Sequence, residues 1–440
     1  MSFEKRCSEA REFIEKKDMF LLVHHYDADG LCSGGLIAKA LELQGKSYRM
    51  ESCRKLSDKE IEAIANSREE NIILADLAAQ EQLEGIDKNI MVIDHHPPIE
   101  KTGILQVNPR LFGIDGTYEM SGASTAYFVL RNPVLAPIGI VGAVGDMQAP
   151  LIGWNRKMLE EGEAAGVVKH YNDITMFGRV SRPLVQFLLY SVDPIIPGLT
   201  GNEDNVKAFY ESLGIELKSG EEWRTYNQLS SDEKMRLRSA LIGYMHEKGK
   251  REDARALVGE VYELLTYPEG TEMSDASEFS TLLNACGRHE HPEIGIDVIL
   301  MRPGAYEKAR GLLEYHRKKL REGIEYATQN VVDLGTFYLL DGRGVIEDGI
   351  IGVIAGMLYG TINADKPIIA ISLDKEKKIK VSGRATKRLV EMGIDLGKIM
   401  SYACKDIGVG GGHNIAAGAT IMPEHLNTFI KRIGECIERK

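Results

Sequence analysis

The chain has 440 residues, of which 43% are hydrophobic and 27% charged, and its formal net charge is −11 at pH 7. This composition is typical of a globular protein with more than one domain, and no apolar run reaches the roughly 18 residues that a membrane span requires. An acidic chain is not expected to coat nucleic acid with its whole surface, because polyanions are bound through Lys and Arg. The six cysteines form no CxxC pair and the charged N-terminus has no signal-like apolar core, so we expect a cytoplasmic protein without membrane contact.

Short apolar runs rich in β-branched residues alternate with helix-like segments in the first part of the chain. The runs are FLLV (20–23), NIILADL (71–77) and NIMVIDHH (89–96). Runs of this kind separated by helices predict an α/β fold with a parallel sheet covered on both faces. Each run leads into an acid, namely Asp27, Asp76 and Asp94. Since ligands collect at the carboxyl ends of parallel strands, these acids are expected to lie together.

The rest of the chain shows two further patterns. Residues 156–325 contain charged helical segments and are predicted to form a mostly helical insertion. Residues 326–440 return to an α/β pattern, with a predicted hairpin at KPIIAISLDKEKKIKVSG (366–383) and a glycine-rich segment at GVGGGHNIAAGA (408–419). We therefore predict a catalytic domain at 1–155, the insertion at 156–325 and a smaller α/β domain at 326–440.

Acids and histidines are concentrated after the predicted strands. They are His24, His25, Asp27, Asp29, Asp76, Asp94, His95, His96 and, in VGAVGDMQ, Asp146. A calcium loop also begins D-x-D, but Leu31, Cys32 and Ala38 occupy positions where it needs an oxygen donor, a glycine and a glutamate. A surface turn at DADG is the other interpretation, and the acids after neighbouring strands favour a metal site over it. Mixed carboxylate and imidazole ligands suit Mn²⁺ or Mg²⁺, and two such ions about 4 Å apart catalyse phosphoester displacement.

The order of these motifs resembles that of a known superfamily. DADG (27–30), the aspartate of ILADL (73–77), DHH (94–96) and GD in AVGDMQ (143–148) resemble the four motifs of DHH phosphoesterases. SGRATKR (382–388) and GVGGGHNIAAG (408–418) resemble the substrate-binding domain that accompanies them in RecJ-like nucleases of the archaeal type. The resemblance covers both ends of the chain and keeps the motif order.

The resemblance implies a set of metal ligands and catalytic residues. The implied ligands of two divalent ions, Mn²⁺ first and Mg²⁺ second, are His25, Asp27, Asp29, Asp76, His95 and Asp146. Asp76 would bridge the two ions, while Asp94 and His96 are the candidate catalytic residues and His96 would face the substrate phosphate. Several family members have a histidine four residues before the first aspartate, where this chain has Val23. Either His25 or His24 must replace it, and His25 is favoured.

A second candidate site lies in the C-terminal region. The consecutive glycines Gly410, Gly411 and Gly412 allow backbone N–H groups to approach a phosphate, although a tight turn is the favoured explanation for the segment in isolation. Arg384 can bind a phosphate through two hydrogen bonds. Together with the resemblance, this favours substrate binding by Arg384, the three glycines and His413.

The resemblance implies a metal-dependent, single-strand-specific exonuclease of RecJ type that acts in DNA repair or replication. Its substrate would be single-stranded DNA or RNA, shortened from an end to release mononucleotides, and GINS-type replication proteins are expected partners. One alternative is an oligoribonuclease of the nanoRNase type, although such chains lack an insertion of this size. The other alternative is a non-enzymatic replisome scaffold, which would have no need of the complete acidic cluster. The sequence does not decide between DNA and RNA or between the two polarities.

Overall fold

The structure is a computed structural model and describes residues 2–99, 101, 103–191 and 194–438. The chain divides into two compact units, Met1–Leu313 (unit 1) and Glu314–Lys440 (unit 2). Among the described residues, no helix combines the length and the apolar content needed to cross a membrane. The α/β fold class with a parallel sheet, predicted from the apolar runs, is confirmed.

Unit 1 begins with a five-stranded sheet whose neighbouring strands all run parallel. The strands are β1 (Met19–His25), β2 (Ser47–Cys53), β3 (Asn71–Ala75), β4 (Asn89–Ile93) and β5 (Leu105–Val107). The helices of this part are α1 (Phe3–Glu15), α2 (Ala28–Leu43), α3 (Asp58–Ala65), α4 (Gly122–Leu130), α5 (Ala136–Gly145) and α6 (Gly153–Ala164). β1, β3 and β4 are almost continuously buried, because two hydrophobic clusters that draw on alternate strand residues cover them.

The strand order is β2-β1-β3-β4-β5. The chain therefore passes from β1 to its neighbour β2 on one side, and from β3 to its neighbour β4 on the other side. Such a switch point opens a crevice at the carboxyl ends of the two strands, where α/β proteins bind ligands. The register aligns His24 with Ala75 and Ala75 with Ile93. The residues that follow β1, β3 and β4 therefore start at one edge of the sheet.

The segment after α6 has a hydrophobic core of its own, built from residues 174–258. Its elements are β6 (Val168–Ile174), α7 (Leu184–Leu189), α8 (Glu203–Ser212), β7 (Lys218–Ser219), β8 (Glu222–Trp223), α9 (Ser231–Glu247), α10 (Arg251–Ala256) and β9 (Val258–Leu264). β6 and β9 pair antiparallel along their whole length and so close the base of this segment.

Three helices follow: α11 (Ala276–Arg288), α12 (Pro292–Ile299) and α13 (Ala305–Asn330). α11 and α12 belong to the core of the parallel-sheet region, to which Leu282 and Ile299 contribute. A Cβ on Gly35 of α2 would lie 2.7 Å from Ile299 Cγ2, so the two helices touch closely. Burial of apolar faces thus joins the last part of the predicted 156–325 module to the first sheet.

Unit 2 contains a six-stranded mixed sheet of order β10-β11-β12-β13-β15-β14. Its elements are β10 (Val332–Asp333), β11 (Tyr338–Asp341), α14 (Ile351–Leu358), β12 (Ile368–Leu373), β13 (Ile379–Arg384), α15 (Lys387–Glu391), α16 (Leu396–Ala403), β14 (Gly408–Gly412), β15 (Ala416–Ile421) and α17 (Leu426–Glu438). The predicted hairpin is present as β12 and β13. The start of the glycine-rich segment is the edge strand β14, and the turn into β15 begins at His413.

Candidate metal centre

Unit 1 collects acids and histidines at the carboxyl edge of its parallel sheet. His25 ends β1, Asp27 is the N-cap of α2, Asp76 follows β3 and Asp94 follows β4. Three sets of side chains each have ligand atoms within 4.8 Å of one another: Asp76, Asp94, His95 and His96; His25, Asp27 and Asp76; and Asp29, His95 and Asp146. Asp76 and His95 each occur in two sets, so the three sets form one continuous cluster.

His25 faces the cluster and His24 does not, because successive strand residues point to opposite faces of a sheet. His25 Nδ1 lies 3.0 Å from Asp27 Oδ1 and 3.5 Å from Asp76 Oδ2. His24 is buried, its Nδ1 lies 2.7 Å from the His25 carbonyl oxygen, and a Cβ on Gly34 would lie 2.8 Å from its ring. Burial lowers the pKa of His24 to about 4. The geometry therefore favours His25 of the two histidines that the sequence left open.

Asp76 lies at the centre of the cluster. It follows β3 with φ 58°, a left-handed conformation that aspartate tolerates better than most residues, and its N–H donates to the Ile93 carbonyl. Its side chain is buried, and Oδ1 accepts no hydrogen bond of good geometry from any described residue. A buried carboxylate oxygen without a partner is costly, so a positively charged ligand is expected there.

The Asp29 carboxylate lies at the N-terminus of α4. Oδ2 accepts from the Gly122 N–H at 2.7 Å, and Oδ1 accepts from the Ala123 N–H and the Ser121 hydroxyl, both at 2.9 Å. A Cβ on Gly122 would lie 2.6 Å from Asp76 Oδ1, so only glycine lets the helix end come this close to the acids. The helix end partly neutralises one acid and leaves the others to be compensated.

The His95 ring is oriented by a backbone carbonyl. Its Nδ1 lies 2.6 Å from the Gly116 carbonyl oxygen, which assigns a proton to Nδ1, so that in the neutral ring the lone pair is on Nε2. His95 Nε2 faces Asp76 Oδ1 at 3.3 Å and oxygens of Asp29 and Asp146 at 3.7 Å. Lone pairs that converge in this way require a proton or a cation between them.

Asp94 and His96 form a separate pair at the edge of the cluster. Asp94 Oδ1 lies 2.8 Å from His96 Nδ1 and accepts the His95 N–H, while Oδ2 accepts the Ala79 N–H. Burial opposes ionisation of Asp94, but its hydrogen bond with His96 lowers its pKa to about 2. Burial likewise opposes protonation of His96, and Asp94 nevertheless raises the His96 pKa to about 9. Because protein groups occupy both Asp94 oxygens, this acid orients the half-exposed His96 ring.

The electrostatics of the cluster fit divalent cations. Burial, together with the charges of Asp76 and Asp146, raises the pKa of Asp29 well above its usual range. Burial also raises the pKa of Asp146 to about 6, with a contribution from Asp76. The buried carboxylates repel one another, and oxygen-rich sites with imidazoles are those that Mn²⁺ and Mg²⁺ prefer. The donor set and the unpartnered Asp76 oxygen therefore fit such ions.

Unit 2 brings the residues of the second candidate site to one end of its sheet. Arg384 ends β13 opposite Ala416, and Gly412 lies opposite Ala417 on the other side of β15. His413, in the turn after β14, donates its N–H to the Ala416 carbonyl. Arg384 packs against the start of α14, where a Cβ on Gly352 would lie 2.5 Å from its Nη2. The glycine strand and Arg384 thus lie at the same end of one sheet, with β15 between them.

Ser121, Gln148 and Asn155 lie beneath the acids and were not among the predicted site residues. Each is an uncharged polar residue, and only Gln148 lies near a motif acid, two residues after Asp146. The small-residue stretch GASTA (122–126) was the available signal that a helix end approaches another group closely. Their hydrogen bonds join segments far apart in the chain, which local pattern does not reveal.

Two family models match the chain, the DHH-CID domain at residues 176–258 and the DHHA1 domain at residues 335–439. The first coincides with the segment that has its own core, and the second with most of unit 2. The protein MJ0831 of Methanocaldococcus jannaschii is 31% identical over an alignment of 433 residues, which covers 94% of this chain and 92% of that protein. It carries the description "uncharacterized".

Solved structures resemble the whole chain. RecJ of Thermus thermophilus in complex with Mn²⁺ matches 100% of this chain with a TM-score of 0.62 at 16% identity. The chain spans 55% of the length of that RecJ. CDC45 of Entamoeba histolytica matches 99% of this chain and 98% of its own length, with a TM-score of 0.63 at 14% identity.

The parallel sheet, the acid-histidine cluster at its carboxyl edge and the separate mixed-sheet unit define an α/β protein of the phosphoesterase type. The chain belongs to the DHH superfamily, with a DHH-CID and a DHHA1 domain, and its fold is similar to that of RecJ.

Proposed function

We propose that this chain is a two-metal, single-strand-specific exonuclease that shortens DNA or RNA from an end and releases mononucleotides. The observation that carries the proposal is the acidic cluster around the unpartnered Asp76 Oδ1 at the switch point of the sheet. The solved RecJ structures with Mn²⁺ or Mg²⁺ support the choice of ions, with Mn²⁺ first. GINS-type replication proteins remain predicted partners, and the likeness to CDC45 supports a link to replication.

The proposed ligands divide into two groups that share Asp76. His25, Asp27 and Asp76 would bind one ion, and Asp29, Asp76, His95 and Asp146 the other. The bound ions supply Lewis acidity at the scissile phosphate. His96 has its ring fixed by Asp94 through Nδ1, so its Nε2 can donate a hydrogen bond to a phosphate oxygen. Arg384 and the segment Gly410–His413 would bind the sugar-phosphate chain, with the Arg384 guanidinium as the donor to phosphate.

The products from an end-labelled 20-mer test this function. With Mn²⁺, a single strand should give mononucleotides from one end and a ladder of shortened chains, while a blunt duplex should remain intact. DNA and RNA versions of the oligomer, each labelled at either end, determine substrate preference and polarity. Cleavage confined to oligomers of a few nucleotides would support the nanoRNase alternative. No cleavage with any divalent ion would support the scaffold, and internal cuts would contradict both the exonuclease and its alternatives.

The two neighbouring histidines provide a sharp comparison. His25→Ala should weaken Mn²⁺ binding and lower hydrolysis about 10- to 100-fold, because it removes a proposed ligand. His24→Ala should leave Mn²⁺ binding unchanged but lower the free energy of unfolding by about 2 kcal/mol, since it leaves a cavity in a buried strand. The measurement is the thermal unfolding temperature of each variant with EDTA and with excess Mn²⁺. A His24→Ala variant that loses the Mn²⁺-dependent rise while His25→Ala keeps it would reverse the assignment.

A further inference from the structure

A chain of buried polar side chains runs beneath the acidic cluster and joins two of its acids. Its members are Ser121, Ser124, Gln148 and Asn155, all buried. Ser121 precedes α4, Ser124 lies within α4, Gln148 follows α5, and Asn155 lies in α6. Buried polar groups of this kind are retained only when each has a partner, so their connections are informative.

Gln148 contacts two parts of the cluster at once. Its side-chain Nε2 donates to Asp146 Oδ2 at 2.8 Å and to the Gly116 carbonyl oxygen at 3.0 Å. The same Gly116 oxygen accepts from His95 Nδ1 at 2.6 Å. One amide group therefore restrains the Asp146 carboxylate directly and the carbonyl that sets the orientation of the His95 ring.

The remaining members determine which way the Gln148 amide faces. Gln148 Oε1 accepts from Asn155 Nδ2 at 2.6 Å, and Asn155 Oδ1 accepts from the Ser124 hydroxyl at 2.5 Å. The Ser124 and Ser121 hydroxyl oxygens lie 3.3 Å apart, and Ser121 donates to Asp29. Because carboxylates and carbonyls only accept, the Gln148 NH₂ must face Asp146 and Gly116, and the Asn155 NH₂ must face Gln148.

We propose that Gln148 is a positioning residue. It holds Asp146 and His95 in the geometry needed to bind the ion assigned to Asp29, Asp76, His95 and Asp146, and Asn155 fixes the orientation of the Gln148 amide. This inference rests on the proposed metal centre and adds to it a requirement that none of the proposed ligands supplies. Its effect is selective, because Gln148 contacts the Asp29, His95 and Asp146 set and no bond joins it to His25 or Asp27 among the described contacts.

Calorimetric titration of the full, metal-free chain with MnCl₂ tests this selectivity. The wild type should bind two Mn²⁺. Gln148→Leu keeps much of the volume but removes the donor, and it should raise one Kd about 10- to 100-fold while the other changes less than about twofold. In low-temperature electron paramagnetic resonance with two equivalents of Mn²⁺, Gln148→Leu should show a weaker signal from coupled ion pairs than the wild type.

The matched control is Gln106→Leu. Gln106 is also a buried glutamine of unit 1, and its Nε2 donates to the Ile99 carbonyl at 3.1 Å, away from the cluster. This variant should retain both Kd values. Gln148→Glu is the second variant, because the introduced carboxylate would accept from Asn155 but offers no donor to Asp146 or Gly116 when ionised. Gln148→Glu should lose Mn²⁺ affinity at the same site as Gln148→Leu.

The outcomes separate this inference from the proposed function. Unchanged Kd values in folded Gln148→Leu and Gln148→Glu, beside a wild type that binds two ions, would overturn the positioning role alone. An equal loss in Gln106→Leu would also overturn it, since general loosening of unit 1 would then explain the effect. A wild type that binds fewer than two Mn²⁺ would overturn the metal centre and the positioning role together.

Discussion

Asp76→Ala should lower Mn²⁺-dependent hydrolysis by on the order of 10³-fold or more, because stabilisation by metal ions is worth several kcal/mol and Asp76 is the proposed ligand of both ions. Asp76 belongs to two of the three sets of potential ligands, and its Oδ1 has no hydrogen-bond partner among the described residues. The measurement is the initial rate of mononucleotide release from a single-stranded oligomer at saturating Mn²⁺. Binding of single strands through unit 2 should largely persist.

Glu69→Ala is the control for loss of a buried acid in unit 1. Glu69 is buried and pairs with Arg49 at 3.0 Å, outside the acid-histidine cluster. Glu69→Ala should lower the free energy of unfolding. Below its unfolding temperature, its rate of Mn²⁺-dependent hydrolysis should stay close to that of the wild type. If Asp76→Ala retained near-wild-type turnover with Mn²⁺, the proposed bridging role would be wrong. Unfolding curves of both variants distinguish a lost ligand from a lost fold.

Arg384→Ala should raise KM for oligonucleotides roughly ten- to a hundredfold, since a charge-assisted hydrogen bond to phosphate is worth about 1.5–3 kcal/mol. Arg384 ends β13 at the same end of the sheet as Gly412 and His413. The kcat should fall less than KM rises, because the proposed metal ligands all belong to unit 1. Hydrolysis of a small artificial phosphodiester should be unchanged.

Arg343→Ala is the matched control within unit 2. Arg343 pairs with Asp341, near the end of the sheet opposite to Arg384, because β12 runs parallel to β11 and antiparallel to β13. Its KM should match that of the wild type. An Arg384→Ala variant with unchanged KM for a 20-mer would contradict nucleic-acid binding at this end of the sheet. A proportional loss on the small diester would instead indicate damage to the catalytic unit.

Several features could be predicted because their causes are local in the sequence. A buried parallel strand needs a short, continuous apolar run, and FLLV, NIILADL and NIMVIDHH each supply one. The acids after these runs had to lie together once the strands were parallel neighbours, since their carboxyl ends share one edge. The hairpin of β12 and β13 followed from two apolar runs and a polar turn between them.

Other features depend on contacts that are distant in sequence. Gly410–Gly412 carry no side chain that indicates a strand, and β14 forms because β15 offers it a backbone partner. The helices α11 and α12 have the same amphipathic pattern as the insertion, but their apolar faces are buried against the first sheet region. The choice of His25 over His24 depended on which face of β1 meets Asp27 and Asp76.

The sequence by itself determined the kind of chemistry, because the number and type of acids and imidazoles after the strands are visible in it. Only the tertiary structure decided how those groups are held. Asp29 at the end of α4, the His95 ring on the Gly116 carbonyl and the amide of Gln148 depend on hydrogen bonds between residues that chain folding brings together. Such bonds leave no periodic signal, since each needs only one polar residue at a position defined by three-dimensional packing.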